Sequence, residues 1–278
     1  MNIADLFTKV ETLSTDETKD ILSSRSQDEV ELIDVREPKE YNRGHIPGAR
    51  LIPMSGIADN IDSIDTSKTV ITYCQRGVRS RSAAALLKRS GFTEVFSMTG
   101  GIEAWNGNIA SGEYEAGLYM IEGRKTVDEL LSLAWGLEEG ARIFYSRARD
   151  LVEDTDAKDI LSGLIQSEVK HKAFLLSALS RIKDKEMTDD IIKGSSLDNI
   201  MEGGISVDKA IDWLRNQENS LISVLELSMH LEANSLDLYM KMYNELENDE
   251  TKKVFSGLIK EEKVHLAKLG HLLNEKAV

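Results

Sequence analysis

The apolar and polar positions of the chain follow two different periods in its two halves. In the first half, short apolar runs predict β-strands at residues 31–35, 50–52, 69–72 and 94–98. A capping box at Ser14 and Glu17 predicts a helix through Leu22, and small apolar residues over 82–87 predict another. Strands that alternate with helices predict an α/β fold, a mostly parallel sheet with flanking helices.

The second half has helical periodicity and an internal repeat. Leu137-Glu138 recurs as Leu231-Glu232, and residues 162–165 have the same sequence as residues 256–259. Each copy predicts a helical hairpin, with turns at 154–156 and 248–250. A long connection over 184–219, with a short helix near 210–214, joins the hairpins. Two such hairpins predict an all-α four-helix bundle.

The change of pattern divides the chain into two domains. We expect the first domain at residues 1–108 and a glycine-rich linker at 109–124. A second capping box, formed by Thr126 and Glu129, marks the start of the helical domain, which we place at 125–278.

The chain is strongly acidic, with a formal net charge of −14, which argues against nucleic acid or an anionic membrane as a partner. Its single cysteine cannot form an internal disulfide and is typical of a reducing compartment. The sequence has no signal-peptide pattern at its start and no apolar run near the ~20 residues that span a membrane. We therefore expect a cytoplasmic protein.

That single cysteine, Cys74, lies at a predicted strand-to-helix turn and is followed by two arginines of the loop, Arg76 and Arg79. Backbone N–H groups of the turn and the helix N-terminus would point at its sulfur. Each feature favours the thiolate, which is the nucleophilic form. The alternative is a buried structural cysteine, the default for a lone cysteine.

Carboxylates and imidazoles recur at matched positions in the helical half. Glu138 and Glu232 interrupt apolar stripes and are predicted to face the core. Each is followed 30 residues later by a Glu-x-x-His pair on one helix face, Glu168 with His171 and Glu262 with His265. A single pair of this kind is usually a solvated surface feature. Two pairs matched to two core glutamates predict a site for two divalent metals.

The first half resembles a single-domain rhodanese in four ordered motifs, at residues 34–41, 44–49, 74–80 and 100–105. The resemblance implies that Cys74 carries sulfane sulfur as a persulfide and that the loop cradles the substrate. The implied substrate-binding residues are Arg36, Gln75, Arg76, Gly77, Val78 and Arg79. Arg36 has an alternative role as the partner of a carboxylate. Asp34 and His45 are interpreted as residues that hold loops in place.

Phosphatase chemistry at Cys74 is a weaker alternative. Related protein phosphatases place five residues between the cysteine and the arginine of this loop, whereas four separate Cys74 from Arg79. A tighter ring of N–H groups suits one sulfur atom better than a tetrahedral oxyanion.

The second half resembles the rubrerythrin branch of the ferritin-like family over roughly 125–275. The resemblance implies two iron ions, or alternatively manganese, bound by Glu138, Glu168, His171, Glu232, Glu262 and His265. It also implies that Glu168 and Glu262 bridge the metals and that Tyr145 and Tyr239 hydrogen-bond the ligands. The chain lacks the Cys-x-x-Cys electron-transfer domain of rubrerythrins, so we expect an external electron donor. Ferritin-like bundles often pair, which makes a homodimer an expectation.

These resemblances together imply a sulfurtransferase fused to a dimetal redox domain. The sulfur donor would be thiosulfate, a polysulfide or a persulfide, and a thiol would accept the sulfur. The metal pair would reduce peroxide or oxygen, or act on a sulfur species. The alternative function is a sulfur carrier and iron-binding protein without coupled catalysis.

Overall fold

The computed structural model describes residues 10–112, 126–192, 199–201, 204–217, 220–246 and 248–276. The chain forms two compact units, Met1–Tyr114 and Glu115–Val278. Most of the predicted linker, the start of the chain and residues 194–196 of the long connection lie outside the described residues. The boundaries 1–108, 109–124 and 125–278 therefore stay predictions.

The first unit is built on a parallel five-stranded sheet in the order β1-β5-β4-β2-β3. Its strands are β1 Glu11–Leu13, β2 Val30–Asp34, β3 Arg50–Leu51, β4 Thr69–Tyr73 and β5 Val95–Met98. Its helices are α1 Thr15–Ser24, α2 Pro38–Arg43 and α3 Val78–Arg89, with 3₁₀ turns at Met54–Gly56, Ala58–Ser63 and Gly101–Ala104. The predicted α/β fold is confirmed.

Both faces of this sheet are covered, as expected for parallel strands. Ile33 and Val70 contribute to a core with Ala83 and Leu87 of α3. Leu32 and Ile71 contribute to a separate core on which the ring of Tyr41 packs. Strand β4 lies in the middle of the sheet and all five of its residues are buried. The chain that leaves β4 is therefore anchored by a rigid element.

Three elements differ from the sequence prediction. Tyr41, predicted in a turn, lies in α2, where Pro38 occupies the first turn and Glu37 and Glu40 form a capping box. Helix α3 begins at Val78, four residues before the predicted start. Strand β1 was not predicted, because its three residues are polar or only partly buried and give no apolar run.

The second unit contains four long helices. Its elements are α4 Val127–Leu151, α5 Thr155–Lys183, α6 Asp189–Ile192, β6 Ile200–Met201, β7 Ile205–Ser206, α7 Val207–Asn216, α8 Leu221–Asn244 and α9 Asp249–Lys276. Helix α4 pairs with α5 and α8 pairs with α9, and α5 also contacts α8 and α9. This arrangement confirms the predicted bundle. None of the described helices is long and apolar enough to cross a membrane.

The long connection between the hairpins carries a short antiparallel strand pair that was not predicted, β6 with β7. Strand β6 packs on α4 at Gly140, where an added Cβ would lie 2.2 Å from the carbonyl oxygen of Ile200. The glycine permits this close approach of two backbones two residues after Glu138. The connection therefore covers the helix that carries one of the proposed metal ligands.

Gly140→Ala is expected to destabilise the second unit by about 1–3 kcal/mol, because the new methyl group must displace β6. Gly163→Ala is the matched control, since Gly163 is also helical and an added Cβ meets nothing within 4 Å. The control should be neutral or stabilising by about 0.5–1 kcal/mol through its better helix propensity. Urea unfolding followed by circular dichroism measures both values, and equal stability of the two variants would contradict the packing argument.

Candidate functional site

Cys74 is the first residue after the central strand β4, and a three-residue loop then leads into α3. Gly77 caps that helix in the left-handed region, with φ +92°. Its N–H group points back at the cysteine and donates to Sγ at 3.1 Å. The N-terminus of α3 therefore faces the sulfur, as the sequence predicts.

The backbone at Gly101 packs closely against the backbone of the Cys74 loop. Gly101 has φ +61°, and an added Cβ would lie 2.2 Å from the carbonyl oxygen of Cys74. The next two N–H groups, of Ile102 and Glu103, donate to the carbonyl oxygens of Cys74 and Gln75 at 2.8 and 3.2 Å. Because these hydrogen bonds fix the two carbonyl groups, the loop N–H groups on the opposite side point toward Sγ.

The pKa of Cys74 is lowered by the loop backbone more than by the arginines. Burial raises the pKa of the thiol, but hydrogen bonds from Ser80 and from the N–H groups of Arg76 and Gly77 outweigh it. The net pKa lies below the ordinary value for cysteine. The sequence prediction of a stabilised thiolate is thus supported by N–H dipoles.

Both arginines of the loop are paired with carboxylates, which sequence reasoning missed. Arg79 donates twice to Glu40, at 2.7 and 2.6 Å, and Arg76 donates to Glu103 at 2.8 Å. These two glutamates neutralise the cations that were predicted to surround Cys74. No sequence signal links Glu40 or Glu103 to the loop, because the pairs join residues 39 and 27 positions apart.

Arg36 is buried and only 3% exposed. Its guanidinium binds Asp34 through both carboxylate oxygens and donates to the carbonyl oxygen of Gly44 at 2.7 Å. These contacts favour the alternative role of Arg36, that of a carboxylate partner. His45 stacks on Tyr41 with ring centroids 3.6 Å apart, which fits its predicted role in holding the turn.

Access to the sulfur atom of Cys74 is restricted. Cys74 is 1% exposed, whereas Val78 at the start of α3 is 76% exposed. Gln75 is partly buried and donates to Glu103 at 3.1 Å. A reactant must therefore approach within the ring of residues 75–79 to reach Sγ.

The six predicted metal-binding residues are all buried in the bundle core. Nδ1 of His171 lies 3.1 Å from Glu138, 3.5 Å from Glu168 and 3.7 Å from Glu262. Nδ1 of His265 lies 3.0 Å from Glu232 and 3.7 Å from Glu262. Atoms that bind a common ion at about 2.1 Å are separated by about 3–4 Å, which is the spacing here.

Two tyrosines connect the hairpins. Tyr145 on α4 donates to Glu232 on α8 at 2.7 Å, and Tyr239 on α8 donates to Glu138 on α4 at 2.6 Å. Each phenol therefore orients a carboxylate of the other repeat. The hydrogen bonds that the resemblance implies are present, and they cross between the two halves of the bundle.

The charges in this core fit two divalent cations. Burial raises the pKa of Glu168 well above its usual value, and the carboxylates of Glu138, Glu232 and Glu262 raise it further. Burial lowers the pKa of His171, but the neighbouring carboxylates outweigh it and raise the pKa to about 8. Four carboxylates that cannot all ionise together are matched in charge by two divalent ions. The donor set therefore fits the implied metal pair.

A second charged cluster lies beside these residues and was not predicted. Lys172, 6% exposed, donates to Glu139 at 2.6 Å and to Asp189 at 3.1 Å, and its ammonium lies 4.4 Å from the Trp135 ring centroid. Arg142 completes the cluster through two bonds to Glu139. In the second repeat the positions of Glu139, Arg142 and Lys172 are Ala233, Leu236 and Leu266. The two halves therefore differ around equivalent ligands.

Comparison with known proteins matches both units. The Rhodanese-like domain family matches residues 14–108, and the Rubrerythrin family matches residues 129–273. Because the second match covers more than half of the chain, the chain belongs to the rubrerythrin family, and it also carries a rhodanese-like domain. The predicted fusion is confirmed.

Individual relatives resemble only part of the chain. The Bacillus subtilis protein YqhL is 48% identical over 79 residues, which are 28% of this chain and 63% of YqhL. The thiosulfate sulfurtransferase GlpE of Pseudomonas aeruginosa is 36% identical over 89 residues, 31% of this chain and 81% of GlpE. A rhodanese-like domain protein of Staphylococcus aureus has 34% identity and a TM-score of 0.33, covering 35% of this chain and 92% of its own.

The Glu40–Arg79 pair gives the loop a pH-dependent rigidity. Hydrogen bonds from Arg79 lower the pKa of Glu40 from 4.5 to about 2. A lowered pKa in the folded state gives stability that is present above pH 4.5 and lost as the pH falls toward about 2. Because the pair is partly exposed, its effect should be below about 1 kcal/mol.

Hydrogen exchange of residues 74–80 should therefore be slower in the native protein than in Glu40→Gln at pH 7, and the difference should shrink as the pH falls through about 2. Asp59→Asn, which changes an exposed carboxylate of another segment, is the control and should match the native protein. If the exchange rates of the native protein and Glu40→Gln differ as much at low pH as at pH 7, the ionised Glu40–Arg79 pair is not what makes the loop rigid.

Proposed function

We propose that Cys74 carries sulfane sulfur as a persulfide, and that the bundle is a di-iron redox centre on the same chain. The observation that carries the sulfur proposal is the Gly77 N–H group donating to Sγ at the end of a buried central strand. The family membership of both units supports it. The thiosulfate sulfurtransferase relative supports thiosulfate as a donor.

The sulfur step starts with the Cys74 thiolate, which attacks the outer sulfur of thiosulfate. A bond forms between Sγ and that sulfur, the sulfur–sulfur bond of thiosulfate breaks, and sulfite leaves with the bonding electron pair. An acceptor thiolate then attacks the outer sulfur of the persulfide. The Sγ–S bond breaks, the acceptor becomes a persulfide and Cys74 returns as a thiolate. No external oxidant or reductant is needed.

The loop stabilises negative charge through both steps. Thiolate and persulfide are both anions, and N–H groups of residues 76, 77 and 80 surround Sγ. Arg79 and Arg76 act mainly by fixing the loop to Glu40 and Glu103. The low exposure of Cys74 protects the persulfide from solvent and excludes bulky reactants.

In the bundle, Glu138, Glu168 and His171 would hold one ion, and Glu232, Glu262 and His265 the other. Bound iron ions would supply one-electron redox chemistry for the reduction of peroxide or oxygen. Tyr145 and Tyr239 hold protons at Oε1 of Glu232 and of Glu138, which fixes both carboxylates. Electrons would come from a donor outside this chain.

Thiosulfate with cyanide tests the sulfur proposal. Cys74→Ser should abolish thiocyanate formation, with a loss of at least about 10³-fold, because serine cannot form the persulfide. Ser82→Ala, on the exposed surface of α3, is the control and should keep native activity. Thiocyanate formation that survives in Cys74→Ser would exclude Cys74 as the sulfur carrier.

Metal analysis tests the dimetal proposal and separates it from iron storage. The native protein should bind about two iron or manganese ions per chain. His265→Ala should lose at least one of them, whereas His271→Ala, whose 74% exposed side chain lies on the same helix, should lose none. Many more than two ions per chain would favour the alternative of an iron-binding protein. Equal metal content in both variants would exclude His265 as a ligand.

A further inference from the structure

Two buried hydroxyl groups interrupt the face of the sheet that packs on α3. Side chains alternate along a strand, so Thr72 of β4 lies on the same face as Val70 and Cys74, which belong to the core shared with α3. Ser97 of β5 is the register partner of Thr72 on the neighbouring strand, and both residues are buried. A pair of hydroxyl groups therefore lies beside the point where Cys74 leaves the sheet.

Both hydroxyl groups contact Ser80, a buried residue in the first turn of α3. Oγ1 of Thr72 donates to the carbonyl oxygen of Ser80 at 2.9 Å and, at the longer distance of 3.2 Å, to that of Phe96. Oγ of Ser97 lies 2.8 Å from Oγ of Ser80. One residue of the helix is therefore held through its backbone and through its side chain, from two neighbouring strands.

Apolar side chains would cover this face at a lower cost. Valine has nearly the shape of threonine, and it brings no polar group that must find a partner in the core. A hydroxyl group differs from a methyl group in that its hydrogen bond has a direction, whereas apolar packing has none. The two hydrogen bonds therefore fix where the first turn of α3 lies relative to the end of β4.

The first turn of α3 is also the part of the helix that faces the cysteine. The Gly77 N–H group donates to Sγ at 3.1 Å, and the N–H and hydroxyl groups of Ser80 also favour the thiolate. A hydroxyl group has one proton, so Ser80 can donate to Sγ only if it accepts from Ser97. Ser97 is then the donor in the 2.8 Å contact between the two serines.

We propose that Thr72 and Ser97 are positioning residues for the Cys74 nucleophile and that both act through Ser80. Thr72 fixes the backbone of the first turn of α3, and Ser97 directs the Ser80 hydroxyl group toward Sγ. The inference rests on the proposed function, because it concerns the thiolate that starts the sulfur step.

Alkylation of the full chain by iodoacetamide measures this thiolate as a function of pH. The chain has one cysteine, so mass spectrometry of the alkylated peptide reports on Cys74 alone. The rate follows the thiolate fraction, and the midpoint of the profile is the pKa of Cys74. The reagent is uncharged, and the positioning variants leave three nearby ion pairs unchanged: Arg76 with Glu103, Arg79 with Glu40, and Arg36 with Asp34.

Thr72→Val and Ser97→Ala should each move the midpoint to higher pH and lower the rate below the midpoint by about three- to tenfold, because each removes one hydrogen bond that positions the donors to Sγ. The rates at high pH, where the thiol is fully ionised, should stay native. Thr72→Ser keeps the hydroxyl group and should keep the native midpoint. Packing alone would instead make Thr72→Ser the less stable variant at this position and would move neither midpoint.

A double-mutant cycle tests the route through Ser80. In a Ser80→Ala background, Ser97→Ala should have no further effect on the midpoint, because the hydroxyl group that it directs is gone. Thr72→Val should keep its effect in that background, because the carbonyl group of residue 80 remains.

Two controls remove hydroxyl groups at the far ends of the same elements. Thr69 lies at the start of β4 and donates to Glu94, and Ser90 follows the last turn of α3 and donates to the carbonyl oxygen of Leu86. Thr69→Val and Ser90→Ala should both keep the native midpoint. Thermal melting checks that every variant is folded, and if Thr72→Val is not, Ser97→Ala and its cycle decide the proposal.

Native midpoints in Thr72→Val and Ser97→Ala would overturn the positioning role. A full effect of Ser97→Ala in the Ser80→Ala background would overturn the route through the Ser80 hydroxyl group. Thiocyanate formation, measured on the same samples, separates this inference from the sulfurtransferase function. If the native protein forms none, that function fails, and the alkylation profiles still decide whether Thr72 and Ser97 position the thiolate.

Discussion

The burial of four carboxylates in one helical core is the constraint on which the second unit depends. Glu138, Glu168, Glu232 and Glu262 are each at most 3% exposed, and water cannot screen their mutual repulsion. Protonation relieves part of it, as the raised pKa of Glu168 indicates. The two imidazoles and the two phenols hydrogen-bond both oxygens of Glu138 and of Glu232 but cannot balance four negative charges. The ionised form of this site is stable only with bound cations. The cations that the proposed function requires would therefore also stabilise the bundle.

The first unit also stabilises buried negative charge, but it does so with backbone dipoles and for one charge only. One negative charge, on Sγ of Cys74, is stabilised by N–H dipoles that the backbone fixes in place. The glycines Gly77 and Gly101 allow the required backbone turns, and the buried strand β4 holds the first residue of the loop. Dipoles suffice for a single negative charge, whereas four buried carboxylates need cations.

Local patterns allowed much of this structure to be predicted. Both capping boxes and the two hairpins are visible in short stretches of sequence, and the repeat aligned Glu138 with Glu232 before any contact was known. Pairs that depend on the three-dimensional fold were missed. Glu40 and Glu103 reach the cysteine loop only because the sheet brings distant segments together. The contacts of Lys172 were also missed, because an isolated lysine gives no sign that Glu139 and Asp189 will surround it. Strands β6 and β7 are two residues each, too short for any periodicity.

The crossed hydrogen bonds of the two tyrosines have a consequence for the origin of the bundle. Tyr145 and Tyr239 are equivalent in the repeat, and each binds the glutamate of the opposite copy. Two separate molecules of one hairpin, related by a two-fold axis, would form the same bonds between chains. The bundle is thus compatible with an ancestral dimer of identical hairpins that became one polypeptide through gene duplication and fusion. Once joined, the copies were free to diverge, and they now differ at the charged cluster, whose positions are Ala233, Leu236 and Leu266 in the second copy.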